Sequence, residues 1–539
     1  MKGIVVCPQP RAADVGAEIL EAGGNAFDAA VATAFAQMVV DPFMCGLGGM
    51  GTFQYFDAGT GENGMIDFHA RAGARVTPEM WAADSQGRTE VSGYSLFDDF
   101  RSELGYTSIL TPGTVAGFAE VHRRFCQKPW GDLLAPGARM AHDGVPTTSY
   151  VHDFLTREMM PGIPGGLQRV SATEACKAIH LHPGGRIYRI GELHRNPDMA
   201  RTFERIAEGG AESFYRGELA QQITADLDAN GAYVTANDMA NYSVQSLAPV
   251  RGQYRGFDVT SNPPPGSGVT LIQMLQILQH FDLTAMGHGT AAHIDVIARA
   301  MAAAHRDRNE YLADPDFADV PVEMMLSQDR AAMWAERIRA GEFLGDGKHA
   351  PYSSTTHVCV YDEAGNAASC THTLGTGSGV VTPGLGFVYN NSMKLFDPIP
   401  GSRNSIQAGK ARTTGMVPTM LFKGGLFKDG APWLVAGAPG GSVIISAVLQ
   451  AILNIVDFGM SPIEAVTVPR LHCEGASIHL EARTPEKVCR ALCEMGHTVS
   501  QSASSFDPVM AKAHVVLREG NGWHGGADPR GGGGVAIAG

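Results

Sequence analysis

The chain has 539 residues, of which 44% are hydrophobic and 18% are charged, and its formal net charge is −14 at pH 7. This composition is typical of a folded enzyme with a large core and excludes a disordered or fibrous chain. The negative charge and the absence of a Lys/Arg-rich block argue against nucleic acid or an anionic membrane as a partner, so a small molecule is the expected ligand.

The sequence offers no candidate for a membrane span or a signal-peptide core. Its longest charge-free apolar stretches, 29–40 and 443–456, are shorter than the roughly 18 residues that a membrane span needs. The nine cysteines include no paired CxxC spacing, which is typical of a reducing compartment. We therefore expect a cytoplasmic protein, and the sequence calls for no metal or other cofactor.

Helical spacing of apolar residues dominates the first part of the chain. Residues 12–21 and 26–40 have the pattern of two helices, separated by a Gly-Gly-Asn break that suits a C-cap followed by an N-cap. Residues 267–283 and 291–312 show the same pattern later in the chain, each bounded by proline. These segments predict helical layers packed against sheets.

From about residue 355 the pattern changes to short strands bounded by Gly, Pro, Asn or Asp. The predicted strands are "THVCVY" at 356–361, "AASCTHT" at 367–373, "GFVYNN" at 386–391, and residues 433–436 within "PWLVAGA".

The first two of these strands form a predicted β-hairpin whose turn centres on Ala364. Such a turn pairs residue 361 with 367 and 357 with 371, so Thr355 lies opposite Thr373. Facing side chains lie about 4.5–5.5 Å apart at Cβ and share one face, so the two hydroxyls are expected to hydrogen-bond. A slip of one residue would separate them. Threonine is also simply a good strand former, and the hairpin alone favours that plainer interpretation.

A second motif, "WLVAGAPGGSVIISAVLQ", predicts a strand, a glycine turn and a helix over 443–458. Backbone N–H groups at the start of a helix are unpaired and favour negative charge. The string lacks the G-x-x-x-x-G-K-[ST] pattern, which argues against a phosphate cradle. An oxyanion hole formed by Gly440 and Gly441 fits better, although such a turn is often only a close-packing element.

Taken in order, the motifs resemble the γ-glutamyltransferase (γ-glutamyltranspeptidase) family of N-terminal-nucleophile hydrolases. The match runs through "ILEAGGNAFDAAVATAFA", "GLGGMGTF", "TPGTVAGF", "STTHVCVYDEAGNA", "APGGSVIISAVLQ", "VPRLH" and "GGADPR". The resemblance implies an α+β fold, a four-layer αββα sandwich. It also implies self-cleavage between Ser354 and Thr355 into segments 1–354 and 355–539, which together form one αββα unit.

The resemblance also implies roles for residues of the catalytic region. Thr355 attacks the carbonyl of Ser354, and hydrolysis of the resulting ester frees an α-amine that serves as general base for the Thr355 hydroxyl. Thr373 matches the threonine that hydrogen-bonds the nucleophile, and Gly440 and Gly441 match the oxyanion-hole pair. His357 shares the face of Thr355, and we assign it an ordering role rather than acid–base catalysis.

The substrate-binding positions depart from the family pattern. His69 stands where γ-glutamyl-specific members have an arginine for the substrate α-carboxylate, with Arg71 two residues on. Leu395 stands where an acidic residue holds the α-amino group, with Lys394 beside it. Each lost anchor removes charge-assisted hydrogen bonds worth roughly 1.5–3 kcal/mol. The segment 396–413, which would include the lid loop of the family, is short, so we expect a more open site.

Four further positions of the substrate pocket follow from the resemblance. Asn390 begins the "NNSMKLF" stretch that also contains Leu395. Gly375 replaces a frequent asparagine, and Thr414 and Gly415 replace paired serines.

We therefore expect a self-processing amidohydrolase or acyltransferase that cleaves a small acyl amide through an acyl-Thr355 intermediate. The acyl group is not expected to be γ-glutamyl, and His69, Arg71 and Lys394 would favour an anionic or carbonyl-rich substrate. One alternative is a γ-glutamyltransferase or glutathione hydrolase with relocated anchors, and another is a non-catalytic scaffold. The expected partners are the small-molecule amide and the two cleaved fragments, which form a heterodimer or a dimer of heterodimers.

Overall fold

The structure is a computed structural model that describes residues 1–87, 95–159, 162–342, 344, 354–424, 430–475, 477–520 and 522–539. In this part of the chain, the strands are β1 Gly3–Cys7, β2 Met50–Asp57, β3 Glu62–Phe68, β4 Val145–Pro146, β5 Leu193–His194, β6 Gln245–Leu247, β7 Val250–Tyr254, β8 Phe257–Ser261, β9 Thr356–Asp362, β10 Ala367–Thr373, β11 Thr419–Lys423, β12 Leu434–Gly437, β13 Leu471–His472, β14 Ile478–Leu480, β15 Val499–Gln501, β16 His514–Glu519, β17 Gly522–Ala527 and β18 Gly534–Ala538. The α-helices are α1 Pro10–Glu21, α2 Ala26–Val40, α3 Thr114–Phe125, α4 Trp130–Asp143, α5 Ser149–Thr156, α6 Gly166–Val170, α7 Glu174–His180, α8 Pro197–Tyr215, α9 Glu218–Ala229, α10 Ala236–Ala240, α11 Gly268–Leu278, α12 Leu283–Met286, α13 Ala291–Tyr311, α14 Val322–Met325, α15 Gln328–Arg339, α16 Val443–Val456, α17 Pro462–Thr467 and α18 Glu486–Glu494.

Two large antiparallel sheets form the centre of the molecule. The first has the strand order β18-β1-β9-β10-β2-β3-β6 and the second has the order β17-β16-β12-β11-β8-β7. Side chains such as Cys359, Tyr361, Val435 and Val516 fill the space between the two sheets. Helices cover both outer faces, so the predicted α+β class and four-layer αββα sandwich are confirmed.

Separate apolar layers join the helices to each sheet. Outside the first sheet, Phe35 of α2 packs against Phe118 of α3 and Phe203 of α8, with ring centroids 5.6 and 5.7 Å apart. Every residue of α2 is buried. Outside the second sheet, α11, α13 and α16 supply a comparable cluster. Because each buried aromatic or aliphatic side chain stabilises a fold by roughly 1.5–3 kcal/mol, these layers fix the sheets in place.

The early helices follow the sequence pattern closely. Helix α2 spans the predicted residues 26–40, and its Asn25 and Asp28 form the reciprocal hydrogen bonds of a capping box. Helix α13 ends at Tyr311, one residue before the predicted end. The helix predicted over 267–283 is divided, since α11 ends at Leu278 and α12 begins at Leu283. Within the described residues, no helix combines the length and apolar character needed to cross a membrane.

The predicted hairpin of β9 and β10 is confirmed. Tyr361 pairs with Ala367 and His357 pairs with Thr371, which is the predicted register. The turn is closed by the Gly365 N–H, which donates to the Asp362 carbonyl at 3.1 Å. Gly365 has φ +93°, a conformation that favours glycine.

The strand predicted over 386–391 is wrong. Gly384 and Gly386 have φ +82° and +75°, which interrupts extended backbone on entry to the segment. Tyr389 forms an isolated bridge to Gly48, and its other backbone hydrogen bonds go to Ser378 and Val380, which belong to no strand. The Asn390 N–H donates to the Gly48 carbonyl at 3.0 Å, so the segment lies along the end of the first sheet as a loop.

Candidate active site

The hairpin brings Thr355 and Thr373 together. Thr355 directly precedes β9, Thr373 is the last residue of β10, and their Oγ1 atoms lie 3.1 Å apart. Both side chains are buried. The Gly375 N–H donates to Thr373 Oγ1 at 2.9 Å, which orients the Thr373 hydroxyl. The hydroxyl pair expected from the hairpin register is therefore present.

Both hydroxyls also contact the carbonyl oxygen of Ser354. Thr373 Oγ1 is 3.2 Å from that oxygen, and Thr355 Oγ1 contacts it as well. Two hydroxyl groups thus converge on one peptide group. This is the peptide bond at which self-cleavage is expected.

His357 lies in β9, two residues after Thr355, and is completely buried. Its Nδ1 is 2.8 Å from Thr371 Oγ1. A Cβ on Gly437 would approach the imidazole ring to 2.1 Å, so glycine at that position leaves room for the ring. Burial, with added repulsion from His514 and His372, holds the pKa of His357 well below its ordinary value. A neutral, enclosed imidazole suits an ordering role and not proton transfer.

The opposite face of the hairpin is fixed by Gln37 of α2. Gln37 Nε2 donates to Thr356 Oγ1 at 2.9 Å, and its Oε1 is 2.9 Å from His372 Nε2. Burial lowers the pKa of His372 to about 3, so this ring is also neutral. Thr355 therefore lies at the end of a hairpin whose two faces both make buried side-chain contacts.

Contacts between the two sheets show which part of the second sheet lies near Thr355. Ser369 Oγ donates to the Ala436 carbonyl at 3.0 Å, and His357 packs against Gly437 one residue further on. The next pleat of the first sheet carries Thr355, and the next residues of the second sheet form the turn between β12 and α16. The predicted glycine turn therefore lies at the Thr355 end of the sandwich.

That turn contains Gly440 and Gly441, whose φ values are +152° and +64°. Neither N–H group donates a hydrogen bond to any residue that the structure describes. Unpaired N–H groups at the start of a long apolar helix are suited to a developing oxyanion. Gly415 packs on this turn so closely that a Cβ would come within 2.2 Å of the Gly441 carbonyl oxygen.

The turn is tethered by an acid that sequence reasoning missed. The Ser442 hydroxyl donates to Glu474 Oε1, and His472 Nε2 lies 3.2 Å from the same carboxylate oxygen. Burial disfavours the charged carboxylate, but His305, His472 and Ser442 outweigh that effect and hold the pKa of Glu474 well below its ordinary value. His472 Nδ1 in turn contacts Ser446 Oγ at 2.8 Å. The only sequence signal was the position of Glu474 two residues after the "VPRLH" motif.

His69 and Arg71 are each engaged by a carboxylate. His69 is buried, and its Nδ1 lies 2.5 Å from Asp67 Oδ1. Arg71 Nη1 lies 3.3 Å from Asp314 Oδ2 and 3.8 Å from Asp316 Oδ2. Both side chains are therefore already in contact with carboxylates, which compete with an anionic substrate for them, and the expected attraction of such a substrate stays a prediction.

Lys394 is also buried and partnered. Its Nζ donates to Thr376 Oγ1 at 2.7 Å and lies 3.9 Å from Glu103 Oε2. Burial lowers the pKa of Lys394 to about 7, with Glu103 opposing and Arg169 adding to the effect. The neighbouring Leu395 is half-buried. The position of the expected acidic anchor is thus aliphatic, and the adjacent ammonium faces a polar network that includes the Glu103–Arg169 ion pair.

The remaining predicted pocket residues have mainly backbone contacts. The Asn390 side chain bonds backbone groups of Gly48 and Leu110, which indicates a structural role. Gly375 has φ +74°, and a Cβ there would meet Asn391 Oδ1 at 2.3 Å, so the asparagine of the family pattern does not fit. The Thr414 carbonyl accepts from Ser267 Oγ at 2.5 Å.

Comparison with known proteins defines the family. The family model described as Gamma-glutamyltranspeptidase matches residues 12–538. The chain belongs to the γ-glutamyltranspeptidase family. Glutathione hydrolase proenzyme of Escherichia coli (strain K12) is 35% identical over 491 residues, or 87% of this chain and 81% of that protein. Acylase ACY 1 proenzyme of Pseudomonas sp. (strain V22) is 34% identical over 516 residues, or 93% and 88%. The crystal structure of cephalosporin acylase from Bacillus halodurans has a TM-score of 0.87 at 29% identity and covers 99% of this chain and 96% of that chain.

As a γ-glutamyltranspeptidase family member, the protein is an N-terminal-nucleophile hydrolase, an enzyme that acts on amide bonds. Two of these relatives are named proenzymes. Their names also divide between a glutathione hydrolase and acylases, so membership of the family is compatible with different acyl groups.

Proposed function

We propose that this protein is a self-processing amidohydrolase that cleaves a small acyl amide through an acyl-Thr355 intermediate. The observation that carries the proposal is the convergence of the Thr355 and Thr373 hydroxyls on the Ser354 carbonyl oxygen. The proposed products of processing are segments 1–354 and 355–539.

In the proposed maturation step, Thr355 Oγ1 attacks the carbonyl carbon of Ser354. Thr373 Oγ1 donates to the carbonyl oxygen as it gains negative charge. The bond from the Ser354 carbonyl carbon to the Thr355 nitrogen breaks, and the nitrogen takes up the hydroxyl proton, which leaves an ester. Water then hydrolyses the ester to a Ser354 carboxylate and a free Thr355 amine.

In the proposed catalytic cycle, the free α-amine accepts the Thr355 hydroxyl proton as the oxygen attacks a substrate carbonyl. The Gly440 and Gly441 N–H groups bind the oxyanion. The leaving amine takes the proton, and water or an acceptor amine then releases the acyl group from Thr355. Loss of one oxyanion-hole donor in comparable enzymes lowers kcat by roughly 10²–10³-fold.

The proposed substrate lacks the α-amino acid head of a γ-glutamyl group. An α-carboxylate would meet His69, which already contacts Asp67, and an α-ammonium would meet the aliphatic Leu395 in place of an acid. The names of the acylase relatives also support an acyl group other than γ-glutamyl. Small N-acyl amides without that head group are therefore the first compounds to test.

Denaturing gel electrophoresis tests the processing step. We expect the purified protein to resolve into segments 1–354 and 355–539, and Thr355→Ala to remain one chain. Thr356→Val is the matched control, because the Thr356 hydroxyl contacts Gln37 on the opposite face of the hairpin, so this variant should still cleave. Cleavage of Thr355→Ala at the same bond would refute the assignment of the nucleophile.

Steady-state kinetics test the substrate. We expect kcat/KM for a γ-glutamyl anilide to lie below about 10⁴ M⁻¹s⁻¹, the low end for efficient enzymes, and at least one small N-acyl amide to exceed that value. The second candidate function is a glutathione hydrolase with relocated anchors, which is favoured by the 35% identity to the Escherichia coli glutathione hydrolase. An efficient reaction with the γ-glutamyl donor would establish that candidate instead.

A further inference from the structure

A cavity of about 90 Å³ lies among α13, α16, β13 and β14. Its apolar walls include Ile294 and Ile297 of α13, Leu453 of α16, Leu471 of β13 and Leu480 of β14. The cavity is separate from the proposed catalytic centre. Leu453 lies ten residues beyond Val443, where α16 begins beside the glycine turn, and this corresponds to roughly 15 Å along the helix.

Most polar side chains in the cavity wall already have partners. Gln450 Nε2 donates to the Leu471 carbonyl at 2.7 Å, and its Oε1 accepts from the Leu471 N–H at 3.0 Å. Asn454 Oδ1 is 3.1 Å from His288 Nε2, and its Nδ2 donates to the Ala465 carbonyl. These groups form a satisfied rim and do not require a ligand.

His293 is a buried member of this wall with an unpaired ring nitrogen. It is 5% exposed, and its Nε2 has no partner among the residues that the structure describes. The Gly289 N–H donates to Nδ1 at 3.3 Å, so Nδ1 is the acceptor and the neutral ring carries its proton on Nε2. Burial, with His288 nearby, lowers the pKa of His293 to about 4, so the ring is neutral near pH 7.

The surroundings of His293 favour an acceptor atom over a water molecule. His293 is the third residue of α13, so the positive end of the helix dipole attracts an electron-rich group. A buried N–H without an acceptor is unfavourable. A buried water needs two to four polar partners, whereas the five aliphatic side chains of the wall suit an acceptor that is carried on an apolar body.

We propose that this cavity is a second ligand site, which binds a small neutral molecule with an apolar body and one carbonyl oxygen that accepts from His293 Nε2. Apolar cavities of roughly 150 Å³ hold the six carbon atoms of a benzene ring, so a cavity of about 90 Å³ encloses about four non-hydrogen atoms, and the rest of a larger ligand lies at its mouth. The site does not depend on the proposed function, because none of its residues belongs to the catalytic machinery.

A pair of matched probes tests the site. Cyclopentanone and methylcyclopentane have similar sizes, but only the ketone has an acceptor oxygen. We expect both to bind in ligand-observed NMR, with the ketone about two- to tenfold tighter, the range for one neutral hydrogen bond. The measurement is repeated on Thr355→Ala protein, where the same affinities are expected whether or not the chain is processed. Absence of binding by either probe, or equal affinities, would overturn the proposal.

Three variants assign the binding to the cavity. His293→Leu should abolish the preference for the ketone, whereas His293→Gln retains an N–H donor and should keep most of it. His288→Leu is the matched control, because His288 lines the same cavity but its Nε2 already contacts Asn454, so the preference should persist. A ketone preference that survives in folded His293→Leu protein would refute the role of His293, and the wild-type comparison of the two probes still decides the proposal if this variant does not fold.

Discussion

The hydroxyl of Thr373 is shared by three groups, the Thr355 hydroxyl, the Ser354 carbonyl oxygen and the Gly375 N–H. Thr373 Oγ1 accepts from the Gly375 N–H and from the Thr355 hydroxyl, so its own proton is directed to the Ser354 carbonyl oxygen. One side chain can therefore orient the proposed nucleophile and polarise the carbonyl of the proposed cleavage site.

We expect Thr373→Val to fold and to process more slowly. A lost neutral hydrogen bond of about 0.5–1.5 kcal/mol corresponds to a decrease of up to roughly tenfold in rate. The cleaved fraction as a function of time after purification measures this, and Thr373→Ser, which keeps the hydroxyl, is the control. Equal time courses for the valine and serine variants would show that the hydroxyl does not take part.

Lys394 should make the free energy of unfolding dependent on pH. Its pKa is about 7 in the folded protein, against an ordinary value of 10.5, so between these values the unfolded chain holds more protons. The penalty of burying the charge is fully present below pH 7, and stability rises as pH increases above 7. At about 1.4 kcal/mol per pH unit for one proton, Lys394 should add roughly 2 kcal/mol between pH 7 and 9.

Urea unfolding at pH 7 and 9 measures this contribution. We expect Lys394→Met to reduce the rise and to be more stable than the wild type at pH 7. Some rise should remain, because burial also lowers the pKa of Lys512, to about 8. Parallel pH curves for the wild type and Lys394→Met would contradict the assignment.

The sequence predicted the site residues whose relative position is determined by a short segment of the chain. Thr355 and Thr373 face each other because a short turn fixes their register. Glu474 and Glu103 could not be predicted in the same way, since each contacts the site from a segment that is distant in the chain. Such contacts depend on how the layers pack against each other, and a local sequence pattern does not predict this packing.

Among the elements, periodicity predicts the long helices better than the loops around the site. Helix α2 has its predicted limits because an N-cap and a long apolar run agree. The segment 386–391 has the composition of a strand, but the glycines that precede and begin it have positive φ and turn it along the edge of the sheet. The turn between β12 and α16 was predicted, whereas its tether through Glu474 was not.

We expect loss of the Glu474 tether to lower kcat more than it changes KM. Glu474→Ala removes the acceptor of the Ser442 hydroxyl and leaves the Gly440–Gly441 turn less well held, and a decrease of roughly tenfold or more in kcat is expected. Glu474→Gln should restore part of the rate, because its amide oxygen can accept the same bond. Ser446→Ala, which leaves the Ser442–Glu474 contact intact, should have the smaller effect, and a larger effect from Ser446→Ala would argue against the tether.

At the scale of the whole molecule, the two proposed fragments are interleaved. In the first sheet, β1 from the first 354 residues lies between β18 and β9, which both belong to residues 355–539, and β10 then pairs with β2. The second sheet joins β11 to β8 in the same way. Each fragment would expose long sheet edges and apolar faces if it were separated from the other.

We therefore expect the cleaved protein to remain one particle. Gel filtration under native conditions should give a single peak that contains both fragments, and they should separate only in denaturant. Thermal unfolding of the cleaved protein should be one cooperative transition. Dissociation of the fragments without loss of secondary structure, followed by circular dichroism, would contradict the interleaved arrangement.

The position of β1 between β9 and β18 also brings the two ends of the chain together. The Lys2 N–H donates to the Ala538 carbonyl at 3.0 Å, and the Lys2 carbonyl accepts from Glu363 of the hairpin. Termini this close allow circular permutation. A gene that joins residue 539 to residue 1 through a short Gly/Ser linker, and opens the chain between 354 and 355, would encode a protein that starts at Thr355 once the initiating methionine is removed. Such a permutant would possess its α-amine from the moment of synthesis, so amide turnover could be measured in variants that cannot mature by themselves.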